Sequence, residues 1–265
     1  MADNQTQSPA VTLTVAYSTL ATRVTNIQLP PISVHREILI IVQNPGGHEY
    51  SKPQPRSDLK LIELSSSGVA KSRNEAIRQA TGRYLVFADD DIQFDLAALD
   101  EIVEHLQTCT CSLVLGQASD FSGKLRKQYP QTQQWLTRFN SARAATYEML
   151  LDVAAIRLAG VRFDENFGAG AENYLGDEYI FICDMLDHNL RAHSLPITMA
   201  KHPEVSSGSG WGTKRDLRAR AKVFSRIFGP AAFVVRAVFI WRNRDKISGI
   251  SDFIRFVFAW YSRSE

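Results

Sequence analysis

Three consecutive aspartates, Asp89, Asp90 and Asp91, close the apolar run Tyr84-Leu-Val-Phe-Ala88. In an extended strand, side chains two apart share a side, so Asp89 and Asp91 converge while Asp90 points elsewhere. Two hard carboxylates aimed at one spot repel each other unless a cation or a proton intervenes. A divalent ion that keeps waters and bridges to phosphates suits that place. The same residues also suit a solvated acidic turn. A second acidic pair, Asp177-Glu178, follows the glycine-punctuated loop Phe167–Gly176 and opens an apolar helix. Acids in a first helical turn are favoured by the macrodipole, which makes capping one reading of the pair. A general base held by the backbone in a cleft is the other. His202 directly follows a strand pattern; it is either a structural histidine or a metal ligand.

The elements that must position these groups alternate along the chain. Val11–Thr19, Glu37–Gln43 and Lys60–Leu64 read as strands, and Val69–Ala80 as a helix behind Ser65-Ser-Ser-Gly68, whose serines suit a cap. Leu20–Val34 has helical spacing until Pro30-Pro31 stop it. Tyr84–Ala88, short and wholly apolar, is a central strand of a parallel sheet. Further on, a helix is expected over Leu96–Leu106 and a strand over Cys111–Gly116, with a turn-rich loop over Gly116–Thr137. A strand at Thr146–Leu151, a short helix at Asp152–Ala159 and a strand at Arg191–Ala200 follow. This rhythm is that of an α/β fold with right-handed crossovers, and in such sheets ligands gather at the carboxyl ends of the strands.

The 265 residues suffice for one domain with an appendage. Cys109, Cys111 and Cys183 show no metal-type spacing, which points to a reducing compartment with the thiols as core filler. Residues 1–10 carry no basic and apolar leader pattern. No uncharged apolar run approaches the ~20 residues of a spanning helix. The net charge of +2 hides an asymmetry: Lys201–Glu265 holds 13 Lys/Arg against 5 Asp/Glu, leaving −6 for the rest. An acidic body with a basic tail suggests a tail that meets an anionic surface.

Taken in order, five blocks resemble a known family: Gly68-x-x-x-Ser72-Arg73-Asn74-x-Ala76, Phe87-x-Asp89-Asp90-Asp91, Phe163-Asp164-x-x-Phe167-Gly-x-Gly, Gly176-Asp177-Glu178 and His202-Pro203. Together they look like a family 2 nucleotide-sugar glycosyltransferase of the bacterial polysaccharide-building kind. The resemblance spans residues 11–212 and implies a GT-A (Rossmann-like) fold, a mostly parallel sheet flanked by helices. It implies Mn²⁺ or Mg²⁺ at Asp91 and Asp89, with His202 as a further ligand. It also implies a nucleotide held by Ser18, Thr19, Arg73, Asp89 and Asp90, and a base within Asp177/Glu178. Two departures are plain: the acidic pair runs Asp-Glu where the family has Glu-Asp, and the first strand lacks the family's Pro-x-Tyr-Asn ending.

The chemistry implied is consistent with the residues. A diphosphate leaves with accumulating negative charge, which a divalent ion stabilises. The attacking hydroxyl loses its proton to a carboxylate on the opposite face of the sugar. One base and no carboxylate nucleophile fits a single displacement with inversion, with Glu178 preferred as base over Asp177. The expected partners are a nucleotide-sugar donor, UDP-sugar favoured, and a saccharide or lipid-linked acceptor, in the cytoplasm or on the inner face of its membrane. The rivals are an inactive sugar-binding module of the same fold and a phosphatase with an Asp-x-Asp strand end; the latter needs a Thr soon after, which Ile92-Gln93 does not supply. Residues 1–213 form the expected catalytic domain. Residues 214–265, where Phe and Trp mix with Arg and Lys, form a helical extension suited to a membrane interface or to packing on the core. Nothing upstream resembles a nucleic-acid module.

Overall fold

The computed structural model describes residues 11–203, 213–246 and 249–259. In chain order the elements are β1 (Leu13–Leu20), β2 (Arg36–Gln43), β3 (Leu59–Leu64), α1 (Val69–Gln79), β4 (Tyr84–Asp89) and β5 (Gln93–Phe94). Then come α2 (Leu96–Thr108), β6 (Leu113–Ser119), β7 (Gln134–Trp135), β8 (Met149–Asp152), α3 (Val153–Ala159) and α4 (Asp177–Asp187). The described chain closes with β9 (Ala192–Lys201), α5 (Lys214–Phe228), α6 (Ala232–Arg242) and α7 (Ile250–Phe258).

The strands build one mixed sheet in the order β3-β2-β1-β4-β8-β6-β9-β5, with β7 pairing β9. β1 to β4 run parallel, as does the β6–β9 pair, while β8 enters antiparallel between β4 and β6. Both faces of the central strands are covered, which explains why they read as continuous apolar runs. On β2, Ile38, Ile40 and Val42 join the core beneath α2, whereas Leu39 and Ile41 join the core shared with α1, α3 and α4.

Local chemistry sets the helix starts. Asp95 caps α2 by accepting from the amides of Ala97 and Ala98, and Asp152 caps α3 by accepting from Ala155. The serines before α1 make no cap: Gly68 holds that position without a side-chain bond. The helical spacing of Leu20–Val34 yields only one 3-10 segment, Ala21–Asn26, because Pro30 and Pro31 leave too little chain for a stable α-helix. Thr146–Glu148 is likewise a 3-10 turn leading into β8 rather than strand.

The tail is continuous with the body. Leu217, Ala221, Val223, Phe224 and Ile227 of α5 pack with Tyr179, Ile180 and Cys183 of α4, and Phe256 of α7 completes that core. Gly176 sits at φ +90°, and a Cβ there would lie 2.4 Å from Val223, so only glycine lets α5 approach the start of α4 this closely. Part of the charge asymmetry is satisfied internally, since Arg226 bonds Asp164 and Asp184, both at 2.8 Å. Lys214–Arg242 is by length and composition long and apolar enough to cross a membrane, contrary to the sequence expectation, although a third of its most apolar stretch is buried inside the protein. Gly229–Ala231 interrupt it with a 3-10 turn.

Cys183 is a free, buried thiol, as expected of core filler. Cys109 and Cys111 depart from that expectation: their sulfurs adjoin closely enough to bond as a disulfide, with Cα atoms 5.4 Å apart.

Candidate active site

Parallel register brings the carboxyl ends of three strands to one edge. Ser18 on β1 pairs across with Asp89 on β4 and Ile41 on β2, while Leu20 faces Gln43. The Gln43 side chain then ties this edge together, donating to Ser18 Oγ at 3.3 Å and accepting from the Gly68 amide at 2.7 Å. The ends of β1 and β2 and the start of α1 therefore form one wall of a cleft.

The aspartates do not continue as strand. The Ile92 amide donates to the Asp89 carbonyl at 3.2 Å, so the chain turns at once after the strand. Asp90 goes inward, accepting from the buried Thr19 hydroxyl at 2.7 Å and from Arg23. Burial raises its carboxyl above the ordinary range, while Thr19 and Arg23 pull it back. The arrangement spends Asp90 and Thr19 on each other, locking β1 to the aspartate turn. Asp89 faces Arg73, with Oδ1 3.8 Å from the guanidinium. Its carboxyl is raised by desolvation first, against Arg73; with 41% of the side chain exposed, solvent still reaches it, so the desolvation is that of a cleft wall.

Asp91 turns towards His202. The antiparallel pairing of Gln93 with Lys201 carries the residues just outside that pair, Asp91 and His202, to the same place. Asp91 Oδ1 lies 4.0 Å from His202 Nε2, is buried, and has no hydrogen-bond partner among the described residues. His202 Nδ1 donates a hydrogen bond to the Pro203 carbonyl at 2.6 Å, which leaves Nε2 as the ring nitrogen facing Asp91. An orphaned carboxylate oxygen beside an imidazole nitrogen is a donor set suited to a divalent ion. The residues fit the expected metal; the segment Glu204–Trp211 that follows lies outside the described residues.

The second acidic pair meets the same cleft through Arg73. This buried guanidinium joins Asp177 in a close ion pair and lies 3.6 Å from Glu178 and 3.8 Å from Asp89. One cation shared by three carboxylates leaves negative charge uncompensated. Burial, then the charge of Glu178, push Asp177 up to about 7 against the pull of Arg73. Arg73 itself is held charged by the same three acids against its own desolvation. The two shifts are consistent: the arginine is held charged while burial and crowding push the Asp177 carboxyl up. Gly168, at φ +93°, packs on this group, and a Cβ there would sit 2.8 Å from the Asp177 carboxyl. Glu178 is the more open of the pair, 22% exposed against 4%, and accepts from Thr146 Oγ1 at 2.7 Å.

Arg23, Gln43 and Thr146 belong to this site and went unnoticed in the sequence. Each is polar, each lies in a segment read for backbone pattern alone, and only the tertiary register brings it to an acid or a strand end.

The family described as glycosyl transferase family 2 matches residues 48–184, more than half of the chain. Among solved structures, TarS of S. aureus, residues 1–349 in complex with UDP-GlcNAc, is similar to this chain with a TM-score of 0.61 and 13% identity, covering 93% of this chain and 82% of that one. The UDP complex of the same TarS fragment gives a TM-score of 0.56 at 14% identity, covering 89% and 72%. Likeness at these identities concerns the fold. No curated protein sequence matches.

Proposed function

Because the chain belongs to glycosyl transferase family 2 and is a nucleotide-sugar glycosyltransferase, we propose that it transfers a sugar from a UDP-sugar to a saccharide or lipid-linked acceptor, with inversion, in building a bacterial surface polysaccharide. The observation that carries this reading is the meeting of two acidic sets in one cleft, Asp89/Asp91 with His202 and Asp177/Glu178, joined by Arg73. The choice of UDP draws on TarS, whose complexes hold UDP-GlcNAc and UDP.

In this reading Asp91, His202 and Asp89 hold Mn²⁺ or Mg²⁺, which neutralises charge on the departing diphosphate. The edge formed by Ser18, Gln43 and Gly68 receives the nucleoside, and Thr19 and Asp90 support that edge from beneath. Arg73 orients the acids and offers positive charge to the cleft. Glu178 takes the proton of the acceptor hydroxyl as it attacks: it is the more open acid, it is oriented by Thr146, and Asp177 is committed to Arg73. No second carboxylate acts as nucleophile, so one displacement inverts the anomeric centre.

The acceptor side concerns the tail. Phe233, Val234, Val238 and Trp241 on α6, with Ile250, Ile254 and Phe258 on α7, leave about half or more of their surface exposed beside Arg242 and Arg244. Aromatic and aliphatic side chains beside cations suit a membrane interface, where a lipid-linked acceptor is presented to a cytoplasmic enzyme. The test is turnover: with Mn²⁺, an acceptor mixture and a panel of nucleotide sugars, nucleoside diphosphate release is expected with a UDP-sugar and not after chelation. Release from no member of the panel, with or without metal, contradicts the proposal.

A further inference from the structure

We propose that His105, Cys109, Cys111 and His193 form a structural Zn²⁺ site, separate from the catalytic cleft, that staples the end of α2 to the β6–β9 edge. One ligand atom from each of the four residues lies within 4.8 Å of all the others. His105 comes from the last turn of α2, Cys109 is that helix's C-terminal cap, Cys111 precedes β6, and His193 lies second in β9, opposite Val114. The two imidazoles meet through His105 Nε2 and His193 Nδ1 at 3.3 Å. Two nitrogens bound to one tetrahedral zinc at ~2.0–2.1 Å stand ~3.3–3.4 Å apart. The spacing of this imidazole–imidazole hydrogen bond is therefore also one that a shared ion would accept without moving the rings.

A disulfide explains the adjoining sulfurs but not the histidines. A bond across a single intervening residue closes a very short loop and constrains the unfolded chain little. It also gives no reason for two imidazoles to converge on the same sulfurs. With both cysteines as thiols, zinc binding displaces two protons to solvent, and two thiolates with two neutral imidazoles balance the charge of the ion. Four protein ligands fill a tetrahedron and leave no open position, the mark of a structural rather than a catalytic site. The surroundings are ordered: the Trp135 ring lies over His193 with centroids 3.6 Å apart, and the Gln133 amide, 3.3 Å from His193 Nδ1 and 3.5 Å from Nε2, would yield Nδ1 to the ion and keep Nε2. The site lies at the opposite end of β9 from His202, nine residues or ~30 Å away along the strand. The same helix begins just after the aspartate turn, so zinc would anchor the far end of the unit that carries Asp91.

The test uses the untagged full chain, purified without chelator or added reductant. Elemental analysis is expected to find about one zinc per chain, retained in Asp91→Ala and lost in Cys109→Ser/Cys111→Ser. Thiol titration of the denatured, chelated wild type should count all three cysteines, whereas a disulfide leaves one. Should the double variant not fold, cobalt exchanged into the wild type should show thiolate charge-transfer bands and the intense visible absorption of tetrahedral Co²⁺. A single titratable thiol, three thiols without metal, zinc retained by a folded double variant, or octahedral cobalt would each overturn the site.

Discussion

The buried guanidinium of Arg73 pairs with the carboxylate of Asp177 across 104 residues of chain, fastening α1 to the first turn of α4. Removing one partner of a buried pair leaves the other charge unsolvated, at a cost of about 3–5 kcal/mol. Arg73→Ala is therefore expected to unfold at markedly lower denaturant than the wild type, as measured by equilibrium unfolding. A loss below about 1 kcal/mol would mean that Asp177 simply takes up a proton instead.

That proton has its own signature. Asp177 is raised from 3.8 unfolded to about 7 folded. Between those values the folded state binds more protons than the unfolded one, so this group's contribution favours folding at low pH and fades as pH rises towards 7. The unfolding free energy of the wild type relative to Asp177→Asn should shift in the wild type's favour as pH falls through that window, by up to about 1.4 kcal/mol per unit. A flat difference across the window would show that Asp177 is ionised throughout.

Glu178→Gln keeps the shape and the Thr146 bond but cannot accept a proton. Donor binding should persist while transfer falls on the order of 10²–10⁴-fold. Steady-state rates beside donor affinity check this. Normal turnover in Glu178→Gln with loss in Asp177→Asn would exchange the two roles.

Much of this arrangement was legible in the sequence because its signals are local. An apolar strand ending in acids, a glycine loop before an acidic helix start, and a histidine closing a strand each survive tertiary context. His202 comes within 4.0 Å of Asp91, and the β5–β9 pairing supplies the cause. What escaped depends on contacts distant in sequence. Asp90 and Thr19, read as nucleotide contacts, bond each other, because the strand ends at Asp89 and the turn sends Asp90 inward. The cysteines read as filler because a single-residue spacing is no familiar metal signature and His193 lies 82 residues from Cys111. For the basic tail, a membrane interface and packing on the core stayed open alternatives, because ion pairs such as Arg226 with Asp164 have no trace in composition.

Membrane attachment through α6 and α7 has two separable parts. Cations near an anionic surface contribute about 1 kcal/mol each and are screened within a Debye length. The full chain should co-sediment with anionic liposomes at low salt and be partly released at high salt. Trp241→Ser/Phe258→Ser, on exposed positions, should weaken binding without unfolding. Equal binding to neutral liposomes would reject the electrostatic part, and an unchanged double variant would reject the apolar part.

In the proposed mechanism a divalent ion held at Asp91 and His202 would carry the donor diphosphate. Calorimetric titration of UDP with and without Mn²⁺, on the wild type and on Asp91→Ala, tests it most directly. Mn²⁺-dependent binding is expected in the wild type, with a loss in the folded variant greater than the ~10–100-fold typical of an outer-sphere partner. Equal UDP affinity in the two proteins, or affinity indifferent to Mn²⁺, would contradict it.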